Sequence, residues 1–226
     1  MAYDNSARQA RAQQTRRAVL TAAASAFLER GYAGTTIRSV AEASGVSPET
    51  VYKTFRNKVT LLKAVYDVTL AGDDEQAPIP QRPEAQAVRA ATTPSEAAAA
   101  YARLSRMISG HIGPLLDVVL GARGTDPDLA AFVDQIDDER LIGATMVTRV
   151  WHERGWLNAA VDAGRDSIPP AERARDVLWT VNSPAVYQLL KKRGWSDAAY
   201  ESWLAGTIVA TILGEPAAPT AARGSR

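Results

Sequence analysis

Gly45-Val46-Ser47-Pro48 constrains the fold more than any other stretch, because it lets one helix stop and another start within four residues. Upstream, Thr35-Thr36 can open a short helix with Ile37, Val40 and Ala41 turned inward. Gly45 accepts the left-handed backbone that ends such a helix. Ser47 is a good N-cap, and Pro48 suits the first helical position that follows. Val46 and Val51 then fall at N′ and N4, where two apolar side chains staple a helix start. This spacing predicts a helix-turn-helix over 36–55, whose second helix can project an exposed face. With Val51 and Phe55 inward, Pro48, Glu49, Tyr52 and Lys53 point outward. A Tyr beside a Lys on an exposed helix suits a surface for phosphates and bases. Glycine-turn helix pairs also occur as plain bundle corners, so spacing alone leaves both readings open.

The rest of the chain is also helical in pattern. Apolar residues recur every three or four positions, Ala is frequent, and no β-branched alternation of strand length occurs. An all-α fold follows. Residues 1–13 read as a flexible arm and 14–72 as a compact head, with Leu61, Leu62, Val65, Tyr66 and Leu70 on one side of its last helix. Acidic and Pro-rich residues over 73–92 read as a linker or loop. A larger helical domain is expected over 93–214. Thr93-Pro94-Ser95-Glu96 is a capping box that opens a helix to Gly110, and a shorter helix is expected near Pro114–Ala122. Further starts fall at Thr125, Pro169-Pro170, Ser183-Pro184 and Ser196. The tail, 215–226, has no core pattern and reads as disordered.

Charge separates the two parts. Residues 1–71 hold ten Lys/Arg and five Asp/Glu, a net +5, whereas 72–226 hold sixteen and twenty, a net −4. A basic head on a larger acidic body implies a polyanionic partner for the head alone. The chain has no cysteine, which excludes disulfides and thiolate chemistry and fits a reducing compartment. No run of eighteen apolar residues and no apolar signal core occur, so a cytoplasmic protein that does not span a membrane is expected.

Signals for catalysis are missing. His111 and His152 stand alone without metal-ligand spacing, and no phosphate loop or nucleophile elbow is present. The expectation is no enzyme, no metal and no cofactor. Lys58 is different, because it falls at the start of a helix, where the macrodipole disfavours a cation by roughly 0.3–1 kcal/mol if exposed. A phosphate there would meet the ammonium and free backbone N–H groups together.

The stretch from Thr15 to Ala71, above all Thr35 to Ala41 and Gly45 to Lys58, resembles the tetracycline-repressor (TetR/AcrR) family of transcription regulators. The resemblance implies a DNA-binding head followed by an all-helical effector and dimerisation domain. It places Arg38 at a DNA-contacting position, Ser47, Pro48, Glu49, Thr50, Tyr52 and Lys53 on the recognition surface, and Lys58 on the DNA backbone. Thr36, with Lys58 and Tyr52, is expected to position the head on phosphates. Pro48-Glu49 departs from the small residues common there, so no operator sequence carries over. The resemblance also implies an effector cavity, for which Tyr66, Tyr101, Met107, His111, Leu115, Phe132, Met146, Trp151 and Trp179 are candidate walls. The same residues at helical spacing can equally be core.

The final helices carry an apolar stripe of Tyr200, Trp203, Leu204, Thr207, Ile208, Thr211 and Ile212, joined by Val177, Leu178 and Val181. A four-helix homodimer interface is expected there, with wholly internal packing as the competitor. The expected function is a dimeric regulator of near-palindromic operator DNA, a repressor released by a small apolar or aromatic ligand. Two alternatives remain: a regulator controlled by a protein partner or its own abundance, and a helical enzyme that shares the fold.

Overall fold

The computed structural model describes residues 2–72, 79–158 and 168–214. Among these, the regular elements are helices, beside one isolated antiparallel bridge between Leu157 and Leu213. α1 spans Ala2–Gly34, α2 Ile37–Ser44, α3 Pro48–Phe55 and α4 Lys58–Ala71. α5 spans Pro83–Ala90, α6 Pro94–Ala122 and α7 Pro127–Glu153. α8 covers Pro170–Val181, α9 Pro184–Lys192 and α10 Asp197–Thr211.

Several expectations are corrected. The arm expected over 1–13 is helical from Ala2. Ala, Arg and Gln dominate it, with no Gly or Pro before Gly31, so a helix nucleated further along extends backwards at little cost. The expected linker holds a 3-10 turn at Ile79–Gln81 and then α5, which starts at Pro83 and buries Ala85 and Val88. The two helices expected up to Gly110 and from Pro114 are one, α6. An interior proline costs about 3 kcal/mol. Burial of Ile112, Leu115, Leu116 and Val119 on both sides of Pro114 offsets that. The tail from 215 lies outside the described residues, as do 73–78.

Two compact units emerge, Met1–Ala77 with Gly110–Ile136, and Pro78–Ser109 with Asp137–Arg226. They do not follow a single cut at 73–92. The reason is visible in the first unit, where Leu129, Phe132 and Val133 of α7 are buried and Phe132 meets Tyr66 of α4 edge-on at 5.4 Å. Its core also takes Val19, Ala23 and Phe27 from α1, Ile37, Val40 and Ala41 from α2, and Val51 and Phe55 from α3. Leu61, Leu62 and Val65 complete it from α4.

In the second unit, Tyr101, Trp151, Leu178, Tyr200, Leu204, Ile208 and Ile212 form one buried cluster. Leu178, Tyr200, Leu204, Ile208 and Ile212, expected at a dimer interface, are therefore internal. The Tyr200 hydroxyl meets Ser105 Oγ at 3.1 Å and its ring packs edge-on against Tyr187 at 4.8 Å. An apolar stripe on the last helix must be covered, and this chain covers much of it with its own helices. Val177, Val181, Trp203 and Thr207 stay half-buried, and Thr211 is exposed.

Candidate nucleic-acid interface

The interface starts from how α1 ends. Gly31, at φ 68° and ψ 179°, breaks the helix. The buried Thr35 hydroxyl then lies 2.8 Å from the Gly31 carbonyl and 2.9 Å from that of Ala26, holding the chain where α2 begins. Thr36 caps α2 by a capping box: Ser39 N–H donates to Thr36 Oγ1 at 3.1 Å, and Thr36 N–H donates to Ser39 Oγ at 3.3 Å. Gly45 closes α2 at φ 71°, its N–H reaching the Ala41 and Glu42 carbonyls. Ser47 caps α3 by accepting from Thr50 N–H at 3.3 Å, and Pro48 follows at N1. The helix-turn-helix thus forms from the chemistry its sequence announces.

Val51 and Phe55 are buried, so the opposite face of α3 is free. Glu49, Tyr52 and Lys53 are exposed on it, and Pro48 is half-buried beside them. Tyr52 is 53% exposed. Thr36 and Arg38 are exposed at the start of α2. Ser47 and Thr50 are engaged with each other, hydroxyl to hydroxyl at 3.2 Å, so their first role is to hold the helix start. Glu49 is fully exposed, but hydrogen bonds from its own backbone N–H and the Ser47 side chain hold its carboxyl below the usual range. It stays ionised at the mouth of the recognition helix.

Lys58 is not extended like the others. Its Nζ donates to the Tyr32 carbonyl at 2.8 Å and lies 3.9 Å above the centre of the Tyr32 ring. At the other end of that ring, the phenol donates to Asp126 Oδ2 at 3.3 Å. Burial pulls the Lys58 pKa below its ordinary value, and the Asp126 charge partly restores it. Burial, with Asp126 beside it, pushes the Tyr32 phenol up to about 12, so it remains a donor.

The pattern of the bacterial regulatory proteins of the tetR family matches residues 19–65, the region just described. The head of this chain carries the tetR-family pattern. The HTH-type transcriptional regulator TtgR of Pseudomonas putida is 43% identical over 56 residues, which are 25% of this chain and 27% of TtgR. The match therefore spans about a quarter of the length of the curated relatives. Three solved structures share the fold over most of both chains. SmeT in a triclosan complex has a TM-score of 0.65 at 20% identity, covering 89% of this chain and 92% of its own. NalD, the secondary repressor of the MexAB-OprM multidrug efflux pump in Pseudomonas aeruginosa, has 0.63 at 16%, covering 89% and 98%. A TetR transcriptional regulator from Chloroflexus aurantiacus J-10-FL has 0.60 at 18%, covering 90% and 98%. Family members of this kind are transcriptional regulators, not enzymes.

The candidate effector residues fall into two sets. Tyr66, His111, Leu115 and Phe132 belong to the first unit, and Tyr101, Met107, Met146, Trp151 and Trp179 to the second. Met146 is 59% exposed on the outer side of α7, one turn from exposed Ile142, so it walls no interior space. His111 is exposed, with its ring against Gly72. Tyr101 and Trp151 pack edge-on at 5.9 Å. The Tyr101 hydroxyl accepts from Asn182, which with the Trp179 carbonyl also takes Arg140. Arg140 sits 5.0 Å over the Trp179 ring, so Tyr101 and Trp179 have structural duties within this unit. A groove of about 430 Å³ lies elsewhere, along the head, between Gln14, Arg17, Thr21 and Ser25 of α1 and Ala43 and Ser44 of α2. None of the nine candidates lines it.

Sequence reasoning missed Tyr32 and Asp126, and it read Thr35 as a helix opener without its bonds to the Ala26 and Gly31 carbonyls. Tyr32 and Asp126 are 94 residues apart, so no local spacing pairs them. Among the described residues no group of three His, Asp or Glu could hold a metal, and no helix is long and apolar enough to cross a membrane.

Proposed function

We propose that this chain is a homodimeric, sequence-specific DNA-binding regulator that represses from a near-palindromic operator. The observation that carries the reading is the free face of α3. An exposed Tyr, Lys and Glu lie there on a helix fixed at both ends, beside exposed Thr36 and Arg38. Two copies of α3 in successive major grooves would stand roughly one helical turn apart, or a multiple of it. Thr36, Tyr52 and Lys58 position the head on phosphates, Arg38 contacts the DNA from α2, and Pro48, Glu49 and Lys53 meet base edges. Ser47 and Thr50 support that surface from its N-terminus. The domain plan is a DNA-binding head over 14–72 and a ligand and dimer domain over 93–214, acting in the cytoplasm.

A small apolar or aromatic effector would release the operator by preferring the conformation that fits it less well. The fold likeness to SmeT, whose structure is a triclosan complex, and to the repressor NalD supports that reading. Dimerisation is assigned to the outer sides of α8 and α10, through Val177, Val181, Trp203, Thr207 and Thr211. The test is selection of bound duplexes from a randomised pool by the purified protein. A symmetric consensus with two half-sites supports the proposal. Recovery of only unselected sequence, with a salt-steep uniform affinity, overturns it.

A further inference from the structure

Three groups from distant parts of the first unit meet at one place: the start of α4, the end of α1 and the turn before α7. Lys58 is the first residue of α4, and its ammonium is spent on the Tyr32 carbonyl and ring. Tyr32 is buried, stacked on Phe27 with ring centres 6.3 Å apart, so it is a fixed platform rather than a loose surface ring. Asp126 precedes α7 and takes the Tyr32 hydroxyl with one oxygen while the other accepts from Asp128 N–H at 2.9 Å. The acidic groups acting on this platform are Asp126 and, more weakly, Asp128. Asp126 and a DNA phosphate would thus compete for the same cation.

We infer that Asp126, acting through Tyr32, is a positioning residue that withholds Lys58 from the DNA backbone, so that the α6–α7 turn sets operator affinity. The inference rests on the DNA-binding reading and adds to it a specific route of control. In this conformation Lys58 is stored. Binding a phosphate requires the ammonium to leave the Tyr32 carbonyl, and the attraction of Asp126 opposes that step. Any event that carries the turn holding Asp126 away from Tyr32 would free Lys58 and favour the operator. By linkage, operator binding would favour the same displacement. The device discriminates no bases, because Lys58, once freed, meets phosphate alone.

The test is a double-mutant cycle on the full-length protein, read as operator affinity. Asp126→Asn keeps the side-chain oxygen that receives Asp128 N–H but removes the charge. It should tighten operator binding about two- to fivefold, the range expected for two partly screened opposite charges. The same substitution in a Lys58→Ala background should change nothing, since the stored cation is gone. Base preferences from a randomised pool should be identical with and without Asp126→Asn. Tyr32→Phe, which keeps the ring under Lys58 and removes only the hydroxyl, should act in the same direction and guards against a folding defect in Asp126→Asn. Equal tightening with and without Lys58 would mean a general loss of negative charge, and would overturn the inference. So would no tightening by either variant. A Lys53→Ala arm separates the two failures. If Lys53→Ala rewrites base preference while the cycle is flat, the DNA reading stands and this route of control falls. If the unmodified protein selects no sequence, both fall.

Discussion

The His111 imidazole fills the space that a β-carbon on Gly72 would occupy. Gly72 ends α4 in the left-handed region, at φ 77° and ψ −10°, and such a β-carbon would collide with Cε1 and Nδ1 of His111. Two separate reasons therefore require glycine here, the backbone angle and the ring. Gly72→Ala should lose about 1–2 kcal/mol for the left-handed backbone, plus about 1 kcal/mol or more for displacing the ring. His111→Ala removes only an exposed side chain and should change stability little by itself. In the His111→Ala background, Gly72→Ala should keep only the backbone part. Chemical denaturation of the four proteins checks this, and additive losses would show that the ring yields freely.

Arg56 holds a second backbone feature, in the link between α3 and α4. Its φ of 61° and ψ of −57° put it at the apex of a tight γ-turn, closed by Asn57 N–H on the Phe55 carbonyl at 2.6 Å. This is the rare, strained hand of that turn. A non-glycine residue there costs about 1–3 kcal/mol. Arg56→Gly should therefore raise stability by about 1 kcal/mol despite the more flexible unfolded chain, whereas Arg56→Ala should not. Thermal unfolding of both variants decides the matter. A gain from Arg56→Ala would place the cost in the Arg side chain instead.

These two sites show where the sequence was legible. Gly45, Ser47 and Pro48 announce their roles because caps and turns depend on neighbours within four residues. Gly72 reads as a helix end for the same reason, but its collision with His111 depends on a helix 39 positions later in the numbering of the chain. Arg56 has no signal at all, since Arg is a poor choice for its angles. Lys58 was legible as an anomalous cation at a helix start, yet its stacking on Tyr32 requires the tertiary fold. The apolar stripe of α10 was correctly seen as needing cover. A period of three to four, however, cannot say whether the cover is another copy or the same chain.

That ambiguity has a direct test. Leu204 and Ile208 are fully buried within the second unit, so Leu204→Arg should place an unpaired charge in its core and prevent folding rather than yield a clean monomer. Thr207 lies one turn from half-buried Trp203, on the side the core leaves uncovered. If the proposed dimer uses that side, Thr207→Arg should give a folded monomer with weakened operator binding. Light scattering with circular dichroism on both variants provides the check. A folded dimer carrying Thr207→Arg would remove α10 from the interface.

The final prediction separates reading from positioning on the head. Lys53 is exposed on the free face of α3, whereas Lys58 is half-buried beside α1. Lys58→Ala should weaken all sequences about equally and lower the log–log salt slope by roughly one per contact, or roughly two per dimer. Because Lys58 also anchors on Tyr32, the same variant should lose some stability, so folding must be verified alongside. Lys53→Ala should instead change preference at symmetric half-site positions. Glu49→Gln should do so too, because its carboxylate can accept from a cytosine amino group but repels phosphate. The sign with pH follows from its lowered pKa. Above the ordinary glutamate range the carboxylate is charged and the difference from Gln is complete. It fades only as pH falls through the lowered folded value, which makes the preference constant across neutral pH. Binding to a randomised pool at several salt concentrations and two pH values measures all three. Unchanged preferences with Glu49→Gln and rewritten ones with Lys58→Ala would reverse the assignment.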